Sequence, residues 1–313
     1  MRSEEQIVER LISGSKSYAC GGFIESLNGF QQQEIYTNLY FDRIKRKLEH
    51  IHNTLHRYNN DWAQTSYYML LRSLDVGRNR PCFERLADVL PLKVIQRECI
   101  SAENVESLLL GASGLIYLFS DNEYIRQVKN RYYFALHKHQ LNPMTLEEWN
   151  LSRMSPGKHP VLRLSQVAKF ISLDRLNIRV FTKCASIQDI EALFRLEANN
   201  YWSDAIMAKT SIFTPPQYIG YDKSHLLGIN FIIPLQLAYA EYTGNETIRD
   251  IAFNLLQDIK AENNHYIRSW ASYGVRVKNA LESQALIQLA TEYCQKQRCD
   301  ECPVGQKIIK ASK

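Results

Sequence analysis

Residues 34–57 read EIYTNLYFDRIKRKLEHIHNTLHR. Apolar side chains recur through this stretch every three to five positions, at Ile35, Leu39, Ile44, Leu48, Ile51 and Leu55. That spacing is typical of an amphipathic helix and not of a strand. The next stretch, DWAQTSYYMLLRS at 61–73, predicts a second helix, because Asp61 is of a residue type that caps helix N-termini. The same periodicity continues along most of the chain.

The chain is therefore predicted to be all-α, a compact domain of about ten helices spanning residues 1–313. A helix is expected over 186–202, where Ser186 and Asp189 have the spacing of an N-terminal cap. Alternation typical of a strand occurs only in NIRVFTKC, residues 177–184. The proline-containing loop SRMSPGKHPVLR, residues 152–163, is the best candidate for a seam, that is, a boundary within the domain. Residues 293–313 form a cysteine-containing tail.

Composition excludes several classes of protein. An apolar fraction of 45% and a charged fraction of 23% are ordinary for a globular chain, so a fibrous or disordered protein is excluded. The net charge of +5 permits contact with nucleic acid or an acidic partner without requiring it. The most apolar stretch, residues 226–240, is too short and polar to cross a membrane and predicts a kinked core helix at Pro234. Seven cysteines without a secretory signal indicate the cytoplasm.

Several stretches together resemble the bacterial domain of unknown function family 2851. They run in order over most of the chain and include DRIKRKLEHI (42–51), NDWAQTSYYMLLRSLDVGRN (60–79), FERLADVLPL (83–92), VESLLLGASGLI (105–116), SRMSPGKHPVLRLSQVAKFI (152–171), EANNYW (197–202), LGINFIIPLQLAYA (227–240), AENNHYIRSWASYG (261–274) and SQALIQLATEYCQKQRCDECPVG (283–305). The family implies no established activity.

The chain departs from the family pattern in two places. Members usually read Arg-Pro-x-Asn-Phe-Pro ahead of an arginine, whereas this chain has Ser155, Pro156, Lys158, His159 and Pro160 ahead of Arg163. Members also typically carry an N-terminal segment similar to a PD-(D/E)xK nuclease core, with Gly-Pro-Asp-Phe and Glu-x-His elements, and neither element occurs in this sequence. If the family is a nuclease, the resemblance implies that this chain holds its helical accessory part, without the acid cluster for catalytic metal.

A cysteine motif, YCQKQRCDECPVGQK, occupies residues 293–307. Its spacing, C-x4-C-x2-C, lets Cys299 and Cys302 face one ion, with Cys294 as a third ligand. Three thiolates suit either zinc or an iron–sulfur cluster, and a structural role is favoured over a redox one. A fourth ligand must be distant: Cys20 is the first choice because a cysteine there also fits the family pattern, and His265 is the alternative. The competing interpretation is three packed or exposed thiols with one adventitious disulfide.

Basic residues near aromatic ones are candidates for nucleic-acid or ligand contact. The segment KNRYYFALHKH (129–139) supplies Lys129 and Arg131 beside Tyr132, Tyr133 and Phe134, and the loop at 152–163 supplies Arg153, Lys158 and Arg163. Basic side chains bind phosphates and aromatic rings stack on bases. The simpler interpretation is that these are ordinary rim residues of amphipathic helices.

A polar group, Glu262, Asn263 and Asn264, precedes the last helices. It predicts a hydrogen-bonded network that fixes helix register, with a small ligand site as the alternative. The leading functional hypothesis is a non-catalytic helical module, stabilised by a metal and in contact with nucleic acid. The alternatives are an enzyme with an active site near Arg163 and Glu262, and a protein–protein adaptor. No catalytic residue is identified, so whether the chain is an enzyme stays open.

Overall fold

The computed structural model describes residues 4–14, 18, 20–75, 77–210 and 218–311. The predicted all-α class is confirmed: the described residues form helices, with two isolated β-bridges, Glu197–Tyr218 and Lys260–Asn279, and no strand. The chain divides into two compact units. The first comprises residues Met1–His50 and Arg249–Lys313, and the second comprises Ile51–Ile248. The loop at 152–163 therefore lies within the second unit.

The helices are short for the most part. They are α1 (Glu4–Gly14), α2 (Gly21–Ser26), α3 (Gly29–Arg57), α4 (Trp62–Leu74), α5 (Arg80–Val89), α6 (Leu92–Glu98), α7 (Ala102–Ala112), α8 (Glu123–His139), α9 (Pro160–Ser172), α10 (Ile178–Thr182), α11 (Ile187–Phe194), α12 (Asn200–Thr210), α13 (Tyr221–Leu227), α14 (Ile233–Thr243), α15 (Glu246–Asp258), α16 (His265–Ser272), α17 (Ala280–Gln288) and α18 (Pro303–Ala311). Short 3-10 turns lie at Leu115–Leu118, Leu146–Glu148 and Pro156–Lys158, and π-helical segments at Gly228–Ile232 and Leu289–Cys294.

Two predicted helix starts are confirmed in atomic detail. The Asp61 carboxylate accepts hydrogen bonds from the backbone N–H groups of Ala63 (2.8 Å) and Gln64 (3.0 Å) at the start of α4. Ser186 and Asp189 form a reciprocal capping box at the start of α11. These caps satisfy amides that have no intrahelical acceptor, which is why polar residues at these positions begin helices.

The helix count and the one candidate strand were predicted wrongly. The described residues contain more helices than the predicted ten, because frequent caps and turns divide the chain into short elements. The stretch 177–184 forms α10: the Asn177 side chain accepts a hydrogen bond from the Arg179 N–H and starts a helical turn. A local cap thus overrides the apparent alternation.

The kink expected in residues 226–240 takes the form of a π-helical segment. Gly228–Ile232 is π-helical, and Pro234 follows it inside one uninterrupted helical run over residues 221–243. A π-helical turn and an interior proline are both common causes of helix kinks. This stretch is buried, and no described helix has the length and apolar character needed to cross a membrane.

Each unit has its own buried core. In the second unit α7 packs against α8 and α9, and Gly111 of α7 lies directly under the Tyr132 ring, so a Cβ there would be 2.1 Å from the ring carbon Cγ. In the first unit α1 packs against α18 and α16 against α17. The buried Trp270 donates a 3.2 Å hydrogen bond to the Leu286 carbonyl, and Tyr18 packs on its ring.

Candidate metal centre and polar sites

Four cysteines line one small cavity in the first unit. Cys20 lies beside Cys294, Cys299 and Cys302 around a space of about 20 Å³, closed by Leu11, Tyr18, Tyr293 and Gly305. The structure thus brings together the cysteine motif and the distant cysteine chosen as its fourth member. His265, the other candidate, begins α16 and lies against Tyr266, with ring centroids 3.8 Å apart.

Local structure explains how three of the thiols converge. Cys294 ends the π-helical segment, and residues 295–302 turn back so that Cys302 immediately precedes α18. The first backbone amides of α18, at Val304 and Gly305, approach the Cys302 sulfur and favour its ionised form. The segment predicted as a tail therefore ends in a helix, with Val304 and Ile309 buried.

The four thiols differ in acidity. A hydrogen bond from the Cys294 thiol lowers the pKa of Cys20, and the same hydrogen bond, together with burial, raises the pKa of Cys294. Burial raises the pKa of Cys299 and raises that of Cys302 to about 12. Cys20 is therefore the preferred thiolate of the cluster, and Cys294 its hydrogen-bond donor.

Within the described residues, no group of three or more His, Cys, Asp or Glu side chains has the arrangement of a metal-binding site. The cysteines share a cavity without adopting the positions of bound ligands. A cavity of this volume is close to the size of one water molecule, so it admits a single ion far more readily than a multi-iron cluster. All four cysteines are free thiols.

The polar group at 262–264 forms a network in the first unit. Asn264 caps α16 by accepting a 3.1 Å hydrogen bond from the Ile267 N–H, and its amide donates to Glu262. Gln284 of α17 also donates to Glu262, and Arg43 of α3 donates to Gln284 at 2.6 Å. Asn263 stands apart from this network and accepts hydrogen bonds from Arg268.

The basic residues expected to contact nucleic acid have different environments. In α8, Lys129 pairs with Asp121, and Tyr132 is buried against Gly111, so the Tyr132 ring is not available for stacking. Arg153 and Lys158 are exposed.

Arg163 departs most from that expectation, because it is buried. Arg163 belongs to the second unit, whereas Glu262, which the active-site hypothesis places near it, belongs to the first. Each of the two side chains forms hydrogen bonds with other residues of its own unit. Arg131 is half-buried, and its charge acts on the Glu103 carboxylate. Because these basic residues differ in exposure and in partners, nucleic-acid contact through the whole set stays a prediction.

Sequence reasoning missed a buried carboxylate in the second unit. Glu106 of α7 is 3% exposed, and it accepts hydrogen bonds from the Ser165 hydroxyl and, at 2.9 Å, from the Tyr124 hydroxyl. Asn199 donates to both Glu106 and Tyr124. Burial raises the pKa of Glu106, although its hydrogen-bond donors oppose that rise. A glutamate inside the apolar run VESLLL was the one local signal in the sequence.

This carboxylate borders a cavity of about 270 Å³. Charged and polar side chains dominate its lining, among them Glu103, Ser165, Lys169, Glu197 and Asn199. Both oxygens of Glu106 already accept hydrogen bonds from protein groups, so the network holds α7, α8 and α9 together at the cavity wall.

The fold and these sites define an all-α protein of two helical units with a partly buried thiol cluster in one of them. The model of the family described as "Protein of unknown function (DUF2851)" matches residues 2–265, and the chain belongs to this family. No curated protein and no solved structure matches the chain. The match includes Cys20 and ends before Cys294, Cys299 and Cys302.

Proposed function

We propose that the chain is a non-catalytic helical module in which Cys20, Cys294, Cys299 and Cys302 bind one thiophilic metal ion. The observation that carries the proposal is the convergence of these four thiols, from both ends of the sequence, on one cavity. Four thiolates in a closed setting are the ligand set of structural zinc. The ion would join the segment after α1 to the start of α18.

The cavity volume and the acidity of the thiols support a single ion over an iron–sulfur cluster. The space between the four cysteines is close to the size of one water molecule, which suits one ion and is too small for a cluster of several iron and sulfur atoms. Without a cation, the hydrogen bond to Cys20 and burial raise the pKa of Cys294, and burial raises the pKa of Cys302, so the charged forms of both thiols are disfavoured. A divalent ion offsets that cost and displaces the protons.

Metal analysis of protein purified without oxygen tests this proposal. We expect close to one zinc per chain in the wild-type protein, and loss of the metal in Cys299→Ser. Cys99→Ser is the matched control, because Cys99 is a half-buried cysteine of the other unit. Metal content near zero in the wild-type protein, or equal content in the two variants, would contradict the proposal. If the analysis finds iron and inorganic sulfide instead of zinc, the four cysteines are still the ligands, and the bound group is an iron–sulfur cluster and not a single ion.

A further inference from the structure

We propose that the second unit binds a phosphate group, free or at the end of a larger ligand, between Arg163 of α9 and Lys223 of α13, with Lys158 at the rim. This site is separate from the thiol cluster and does not depend on it. Its main feature is a buried guanidinium that has no ion-pair partner among the described residues.

Arg163 is only 9% exposed. Within the described residues its guanidinium forms one hydrogen bond, 2.9 Å from Nη1 to the Gln166 side-chain oxygen, and no ion pair. A guanidinium has five N–H donors, and burying its charge beside a neutral amide alone is costly. Burial accordingly lowers the pKa of Arg163 to about 10. An anion would supply both the missing acceptors and the missing charge.

Lys223 adds a second cation within electrostatic range of Arg163. Its ammonium donates to the carbonyl oxygens of Ser73 (2.9 Å) and Leu74 (2.8 Å) at the C-terminal end of α4. Two of its three protons are used in this way, and the third is available to a ligand. Burial first, and then Arg163, lowers the pKa of Lys223 to about 7.

The neighbouring charges leave this region with an excess of positive charge. Lys158 also acts on Lys223, whereas Asp75 is the acid that opposes these cations. Asp75 is engaged by the backbone N–H groups of Gly77 and Asn79, both at 2.9 Å. On the side of α13 that meets α11, His225 pairs with Glu191. Once anion binding has protonated Lys223, three cations against one carboxylate leave about two positive charges, which matches a phosphate dianion.

The backbone favours the same ligand. Lys158 precedes α9 and Arg163 lies in its first turns, where the helix dipole is positive. A buried guanidinium suits one compact anion and not an extended strand of nucleic acid.

Calorimetric titration of the full chain with inorganic phosphate tests the site, in chloride buffers of low ionic strength. We expect binding that weakens by about tenfold or more in Arg163→Gln and Lys223→Met, and less in the exposed Lys158→Ala. Lys169→Gln, on the same helix, is the control and should bind as the wild-type protein does. If Arg163→Gln does not fold, the phosphate affinities of Lys223→Met and Lys158→Ala are compared with that of the wild-type protein instead.

A second readout separates ligand binding from a structural role of Lys223. Sulfate does not titrate near neutral pH, so its binding at pH 7.5 in two buffers of different ionisation enthalpy reports protons taken up by the protein. We expect proton uptake in the wild-type protein, because an anion raises the lowered pKa of Lys223, and none in Lys223→Met.

Two results would contradict the proposed phosphate site. One is that neither phosphate nor sulfate binds at millimolar concentration. The other is that Arg163→Gln and Lys223→Met bind with the same affinity as the wild-type protein. An oligonucleotide with and without a 5′-phosphate then distinguishes the source of the ligand. A gain in affinity from that phosphate, lost in Arg163→Gln, assigns the site to a nucleic-acid end. Equal affinities assign it to a small phosphate compound.

Discussion

Gly305 and Cys299 are in direct contact: a Cβ at Gly305 would lie 1.9 Å from the Cys299 carbonyl oxygen. The first turn of α18 therefore packs on the backbone of the turn that carries Cys299 and Cys302. Because α18 also packs on α1, a single glycine connects the packing of this helix to the geometry of the thiol cavity.

Replacing Gly305 with alanine should disrupt the thiol cluster. The added methyl group has backbone as its obstacle, so the 295–302 turn must move, at a cost of about 3 kcal/mol in the free energy of unfolding. Chemical denaturation and metal content of the purified variant measure the two effects. Gly22→Ala, at a helical position with open space around it, is the control and should be neutral or slightly stabilising. Wild-type stability and metal content in Gly305→Ala would show that the contact is not essential.

Cys20 should be the first thiol of the cluster to react with iodoacetamide in metal-free protein near pH 8. Its pKa is lowered by the hydrogen bond from Cys294, whereas the pKa values of Cys294, Cys299 and Cys302 are raised, and alkylation requires the thiolate. Peptide mass spectrometry over time gives the order. In Cys294→Ala the lowering is lost, and Cys20 should react more slowly at the same pH. Preferential modification of Cys302 would contradict the proposed hydrogen bond.

Gly111→Ala should be among the most destabilising small substitutions in the second unit. Its Cβ would lie 2.1–2.5 Å from three atoms of the buried Tyr132 ring, so α7 and α8 must separate. We expect a loss of about 3 kcal/mol in unfolding free energy, measured by urea denaturation. Gly29→Ala, with nothing within 4 Å of the new Cβ, provides the comparison and should change stability little. Equal stability of the two variants would show that the contact between Gly111 and Tyr132 is not tight.

The Glu106 carboxyl should make stability depend on pH in a specific direction. Burial raises its pKa in the folded protein, so the folded state holds the proton over a range in which the unfolded chain has lost it. This contribution to stability is complete below the unfolded pKa and is lost as pH rises through the folded pKa.

The Glu106→Gln side chain is neutral at every pH, so this substitution removes the contribution of Glu106 to the pH dependence of stability. Its amide N–H₂ group faces hydrogen-bond donors, which lowers the free energy of unfolding by about 1–3 kcal/mol. The stability difference between wild-type protein and Glu106→Gln should therefore shrink as pH rises above the ordinary glutamate value. Urea denaturation between acid and neutral pH measures it. A difference that grows with pH would show that the carboxylate is stabilised in the folded protein.

Much of the fold could be predicted from local sequence. The periodicity of 34–57 and the cap residues Asp61 and Ser186 specify helices through interactions within a few residues of each other. At 177–184 the same kind of local interaction decides the structure, because the Asn177 cap starts a helix where the alternation of side chains predicts a strand. Division into two units depends on which helices pack together, and periodicity carries no such information.

The candidate sites were predictable only in part. Spacing drew attention to Cys294, Cys299 and Cys302, and the resemblance suggested Cys20, which the structure places on the same cavity. The hydrogen-bonded network around Glu106 could not be predicted, because its members are far apart in the sequence and form no motif. They are Glu106, Tyr124, Ser165 and Asn199. Lys223 likewise has no local signal, because its acidity is set by burial and by Arg163.

X-ray absorption at the metal edge of anaerobically purified protein tests the central proposal most directly. We expect four sulfur neighbours per metal ion, at about 2.3 Å for zinc. We also expect that Cys20→Ser reduces the number of sulfur neighbours or removes the metal, whereas Cys99→Ser leaves the spectrum unchanged. Absence of bound metal, or a first shell of nitrogen and oxygen, would show that the four cysteines do not form a metal site.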